Sequence, residues 1–226
     1  MGDFRVRKIN DAHDRRKMYQ AALNDIAAFE TMLREGLFDD GSPKIGAEQE
    51  LCIVDKTQQP ATSALAILEA IKAEQYTNEL ALFNLEINLA PESLNGHCFS
   101  KMEHSLLQLL HLGKTEAARQ QTQLLLCGIL PTLQYHHLQF DHMTPIQRYQ
   151  TLSKTLLGLR GTNFEIHLQG VDELIMSLDS VLFEACNTSF QLHLQIKAQE
   201  FVNRHNWSQM IAGPVLAASV NSPLLM

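Results

Sequence analysis

The chain has 226 residues, 45% of them hydrophobic, and 25 acidic against 18 basic side chains give a formal charge of -7 and a pI near 5.8. That length holds one large domain or two small ones, and that balance excludes the broad positive surface that attracts nucleic acid or anionic membrane. The N-terminal stretch with Asp3, Arg5, Arg7 and Lys8 lacks the apolar core of a signal peptide, no run approaches the roughly 18 apolar residues of a membrane span, and Cys52, Cys98, Cys127 and Cys186 form no Cys-x-x-Cys pair. The expectation is a cytoplasmic protein with reduced cysteines and no bound zinc.

In chain order, Met18, Ala22, Ile26, Phe29 and Leu33 recur at three or four positions between Asp14 and Arg34, the spacing of a helix with one buried stripe, ending at Gly36. Gly41-Ser42-Pro43 and Gln58-Gln59-Pro60 bound a strand centred on Glu48, and Thr62 or Ser63 can cap the short helix through Leu65, Leu68 and Ile71. A second acidic strand follows Tyr76 and ends at Pro91. The longest helical pattern runs from Ser100 to about Leu130, crossed by Gly113 and stopped by Pro131. Thr144-Pro145 reads as a cap and first-turn proline for a helix through Tyr149, Leu152 and Leu156 to Gly158. Phe164, Ile166 and Leu168 alternate with Glu165, His167 and Gln169 as a strand or hairpin arm, and after the strand at His193 a last helix covers about Ala198 to Ser219 with Gly213-Pro214 inside it.

Three of these strands carry the chemistry: Ile45 to Leu51, Phe83 to Leu89, and Phe190 to Ile196. Side chains alternate faces along a strand, so Glu48 and Glu50 share a side, as do Glu86 and Asn88, and Gln191, His193 and Gln195. A parallel sheet covered by helices on both faces would bury those polar sides. The pattern therefore predicts an α+β fold, a mainly antiparallel sheet with helices packed on one face and an open polar catalytic face on the other. Converging carboxylates about 4 Å apart repel by roughly 4 kcal/mol at an effective dielectric of 20, so they need protons or cations. Magnesium is the natural cation, since it takes oxygen ligands from one or two carboxylates together with substrate phosphates, which makes Glu48, Glu50 and Glu86 the candidate metal ligands. Asn88, Gln191 and His193 are candidate contacts to a bound nucleotide or substrate.

A single Glu-x-Glu strand is ordinarily a solvated edge that resists aggregation, and the three segments gain weight only together. His104 with His111 on the long helix have no carboxylate or cysteine at ligand spacing, and His136, His137 and His142 form a loop cluster of the kind that is commonly just solvated, so both groups are set aside. Glu165 and His167 stand as either the rim of the site or an exposed strand face. Neither phosphate-cradling glycine motif, GxxxxGK[ST] or GxGxxG, is present, so metal would have to hold any phosphates.

The segments IGAEQEL at Ile45 to Leu51, FNLEINLAP at Phe83 to Pro91, CNTSFQLHLQI at Cys186 to Ile196 and AGPVLAASVNSPLL at Ala212 to Leu225 resemble, in this order, motifs of the glutamate-cysteine ligase and carboxylate-amine ligase family, whose fold is shared with glutamine synthetase. The resemblance implies that Glu48, Glu50 and Glu86 hold Mg2+ and with it ATP phosphates or the amino acid, and that Gln191 and His193 line the same cavity. It implies ATP-dependent amide formation from glutamate or a similar carboxylate and an amine acceptor, through an acyl phosphate and without a protein nucleophile. Family members continue past the Asn-Ser-Pro segment, so 1–226 is expected to be a single, truncated catalytic domain with a helical segment over 1–40. The other readings are an inactive nucleotide- or amino-acid-binding remnant of that fold, and an interaction domain with solvated carboxylates. A sheet with a free edge is further expected to pair as a homodimer.

Overall fold

A computed structural model describes residues 11–39, 41–220 and 222. The charged stretch at positions 3–8, and Asn221 and Pro223 of the Asn-Ser-Pro segment, lie outside those residues. In chain order the elements are helix α1 (Ala12–Glu35), strand β1 (Lys44–Val54), helix α2 (Ala64–Ile71), strands β2 (Tyr76–Asn78), β3 (Asn84–Asn88) and β4 (Glu92–Ser93), helix α3 (Cys98–Arg119) and strand β5 (Gln123–Leu125). Helix α4 (Gln147–Arg160), strands β6 (Phe164–Gln169), β7 (Glu173–Leu178) and β8 (Phe190–Leu194), and helix α5 (Phe201–Ala218) follow. The fold is the expected α+β type.

β1 is the axis of the main sheet, and each of its partners is antiparallel. Along one edge it pairs with β3 (Glu48 opposite Asn88, Glu50 opposite Glu86) and then β4; along the other it pairs with β8 (Gly46 opposite His193, Glu48 opposite Gln191) and then β5. β2 continues the sheet beyond β3, setting Thr77 opposite Glu86. The apolar side of this sheet, with Leu51, Ile53, Leu85 and Ile87 fully buried, packs on α2 and α3 through Ile67, Ile71, Met102, Leu110 and Ala117. At about 1.5 to 3 kcal/mol for each large side chain, that layer holds the strands in register and leaves the other side free for polar groups. α3 comes close enough that a Cβ on Gly113 would fall 2.1 Å from the Tyr76 hydroxyl, which instead donates to the Leu109 carbonyl at 2.8 Å.

Four local expectations change. The long helical pattern ends at Arg119 rather than near Leu130: Gln121 turns to φ 58°, the Thr122 N–H and hydroxyl both return to the Ala117 carbonyl, and Leu124 becomes a strand residue opposite Ile53. No glycine or proline marks that stop, so helix propensity runs past it. Ser63 occupies the N-cap position of α2 but makes no capping bond; its hydroxyl meets that of Thr122 at 3.4 Å. Thr144 caps nothing, since α4 begins at Gln147 and runs on to a left-handed Gly161; the threonine donates its N–H to Leu80 and its hydroxyl to the Glu79 carbonyl. The α1 helix forms between an Asp11 cap and Gly36, yet none of its residues is buried, and its aromatic Phe29 packs only edge-on to Phe38 at 5.5 Å.

Candidate active site

The face of the main sheet turned away from α2 and α3 is polar, as the alternation predicts, and divides into two ends. At one end a carboxylate oxygen from each of Glu50, Glu79 and Glu86 lies within 4.8 Å of the others. Glu50 and Glu86 arrive as a directly opposed pair on β1 and β3, and Glu79 enters just past β2, where Thr144 pins its carbonyl. Around this trio the hydrogen bonds are specific. Thr77 donates to Glu86 Oε1 at 3.1 Å and Asn88 Nδ2 donates to the same atom at 2.6 Å, while the Ser189 N–H donates to Glu50 Oε2 at 2.7 Å. Tyr149 from α4 closes this end, its hydroxyl accepting from Asn78 Nδ2 at 3.0 Å.

Burial, the Glu86 charge and a hydrogen bond to Glu86 push Glu79 up to about 8, and burial likewise raises Glu50 above the usual carboxylate range. Like charges at 4.8 Å repel by about 3 kcal/mol at an effective dielectric of 20, so the trio keeps a proton at neutral pH when nothing else neutralises it. Burial also moves the Tyr149 phenol up to about 12, so it stays a neutral hydroxyl beside the acids. The donor set of three carboxylates fits a hard divalent cation, and the neighbouring Asn88, whose Nδ2 is committed to Glu86, has a buried Oδ1 with no partner.

At the other end Glu48 stands beside His193, with Oε2 3.6 Å from Nε2. Here the face opens into a cleft of about 470 Å³ whose lining includes Asp39, Lys44, Glu48, Asn88, His193 and Gln195. Gln195 donates to Asp39 at 3.1 Å, and with the Gly41 N–H, the larger influence, it holds that carboxyl below the usual range. Gln191 stands between the ends, its amide 3.5 Å from Glu50 and 3.1 Å from Ser189 Oγ. Asn88 lines the cleft and bonds Glu86, so the two ends are continuous.

Of the six candidate residues, Glu50 and Glu86 thus meet in one cluster, Glu48 and His193 meet in the cleft, and Asn88 and Gln191 link the two. Glu79 escapes the sequence reading although Thr77-x-Glu79 repeats the alternation of Glu48-x-Glu50; β2 is only three residues long and no apolar run announces it. Glu165 and His167 belong to a separate β6–β7 hairpin, where His167 meets Glu173 at 2.7 Å. His104 and His111 are exposed on α3 as expected, whereas His137 of the loop cluster is buried rather than solvated, because its ring turns inward to accept the Gln134 N–H at 3.0 Å within its own turn. Among the described residues no helix is long and apolar enough to cross a membrane.

Comparison with curated proteins and with solved structures gives no match. A family model does match, from Lys44, the first residue of β1, through 226, a span that contains the three clustered glutamates and all of the cleft residues named above except Asp39. With that match over most of its length, the chain belongs to glutamate-cysteine ligase family 2 (GCS2), a membership that points to carboxylate-amine ligation.

Proposed function

We propose that this chain is an ATP-dependent carboxylate-amine ligase whose polar sheet face holds magnesium at the Glu50–Glu79–Glu86 end and substrate in the cleft beside Glu48 and His193. The observation that carries the reading is the convergence of three carboxylates, one oxygen from each lying within 4.8 Å of the others. Magnesium would neutralise the phosphates of ATP as the γ-phosphoryl group moves to a substrate carboxylate. Glu50, Glu79 and Glu86 would hold it, and Glu79 would give up its proton to do so. Glu48 remains a candidate ligand through its place on the same face. Thr77, Asn88 and Ser189 orient the carboxylates, and Gln191, His193 and Lys44 are the groups positioned to contact substrate or phosphate. Attack of an amine on the acyl phosphate then expels phosphate, and the residues act by position and charge rather than by forming a covalent bond.

The substrate class is an amino-acid carboxylate such as glutamate together with a small amine. With cysteine as the amine, the reaction would stand at the entrance to glutathione synthesis. Residues from Lys44 onward form the catalytic unit in this reading, and α1, which buries none of its own side chains, is an appended segment. The free cysteines and the absence of a spanning helix among the described residues support a cytoplasmic setting. β8 pairs with β1 along one edge only and leaves Phe190, Leu192 and Leu194 about half exposed, which supports a homodimer formed on that strand. Sedimentation should show a dimer that Leu192→Lys dissociates; a monomer at high concentration would remove that part of the proposal.

The test is ADP release with glutamate and a panel of amines at pH 8, with and without magnesium. Magnesium-dependent turnover lost in Glu50→Gln and Glu86→Gln is expected. Calorimetric binding of ATP-magnesium with no turnover on any amine would select the binding-remnant reading instead.

A further inference from the structure

Two thiols that the proposed reaction does not use lie against the acidic end. Cys127 Sγ donates to Cys52 Sγ at 3.8 Å, and no disulfide joins them. Cys52 sits on β1 two residues after Glu50, on the same face, and is 1% exposed. Cys127 is half-buried and lies two residues past β5, where the chain leaves β1 to run beside Asn187 and Thr188. The sulfurs are in van der Waals contact, and a disulfide would bring them to about 2.05 Å, a movement of under 2 Å. A chain that has just left its strand can supply that movement more readily than β1, which is paired on both edges.

We propose that Cys52 and Cys127 form a reversible disulfide in response to hydroperoxide, and that its closure displaces the segment that holds Glu50 in place. The link is continuous. The Cys127 carbonyl accepts the Thr188 hydroxyl and the Gly128 carbonyl accepts the Thr188 N–H at 2.7 Å. The next residue, Ser189, donates its N–H to Glu50 Oε2 and accepts the Glu50 N–H at 2.9 Å. Cys127 is the attacking sulfur, because it is the more accessible of the two, while Cys52 is buried against it. The Cys127 thiolate takes an oxygen from the peroxide, breaking the O–O bond and giving a sulfenic acid and, with one proton, a molecule of water or alcohol. Cys52 then attacks that sulfur, its own proton leaving with the sulfenic oxygen as water. The cysteines lose two electrons to the peroxide, and a dithiol reductant returns them. Cys98 and Cys186 are buried, and burial pushes the Cys186 thiol up to about 11, so both serve as internal controls.

The experiment treats the full chain with stoichiometric hydrogen peroxide, alkylates remaining thiols and maps peptides by mass spectrometry. The expected result is a Cys52–Cys127 cross-link with two of the four thiols lost, reversed by dithiothreitol and absent in Cys127→Ser, with circular dichroism checking that this variant folds. No cross-link, or equal oxidation of Cys98 and Cys186, overturns the thiol pair. Manganese binding measured by calorimetry should weaken at least about fivefold on oxidation of the wild type, the low end of coupling between linked sites, and stay constant in peroxide-treated Cys127→Ser. Unchanged affinity after cross-linking overturns the coupling to Glu50. The coupling rests on the proposed ion site, whereas the cross-link does not: a reduced chain that binds no manganese would refute the ion site and leave the peptide map to decide the thiols.

Discussion

The two ends of the polar face share one sequence pattern and differ in what surrounds it. At the Glu79 end, α4 and the segment around Ser189 enclose three acids, and burial keeps a proton among them. At the His193 end, a single glutamate faces an exposed histidine across 3.6 Å beside an open cleft. Alternation along a strand decides only which residues share a side; enclosure decides whether those residues concentrate charge for a cation or remain available to a substrate. On this comparison the two ends respond differently to substitution.

The largest expected effect is at Glu86, whose oxygen accepts from both Thr77 and Asn88. Glu86→Gln should weaken magnesium or manganese binding by more than about a hundredfold in calorimetry, above the 10–100-fold usual for loss of a residue that only supports a ligand. Next is the proton on Glu79. Its carboxyl is raised in the folded chain to about 8, so the stability it contributes is complete below the ordinary glutamate range near 4.5 and disappears as pH rises through 8. Without metal, the melting temperature should fall between pH 5 and 9, magnesium should reverse the fall, and Glu79→Gln should flatten it. Ion binding at pH 7 should accordingly release about one proton, read from binding enthalpies in buffers of different ionisation heat.

Asn88→Ala removes a bond to Glu86 without removing a carboxylate, and about a tenfold loss of ion affinity is expected. The smallest effect on the ion should come from the open end: His193→Ala should change metal affinity less than about threefold while raising the KM for substrate, within the uniform-binding behaviour of a substrate contact. Equal loss of metal affinity at His193 and Glu86 would erase the distinction between the ends.

Much of this arrangement is legible in the residues. A period of two, with Glu, Asn, Gln or His on one side and apolar side chains on the other, identifies β1, β3 and β8 and requires a sheet open on one face. What escapes is set by tertiary contacts. Thr144 has the sequence setting of a helix cap yet spends both its donors on Glu79 and Leu80, and Glu79 itself follows a strand too short to show a period. α1 and α5 carry apolar residues in abundance, yet none of their described residues is buried, because periodicity reports a capacity for burial and not the presence of a partner.

The bond from Ser189 to Glu50 joins positions 139 residues apart. As the chain leaves the ribosome, β1, β3 and their helices are all available long before β8, so the acids can draw together while one edge of their central strand is still bare. Contacts of such long range slow folding, and the step that seats Ser189 would then be the late one, which makes the Ser189–Glu50 bond a marker of a main sheet closed along both edges of β1.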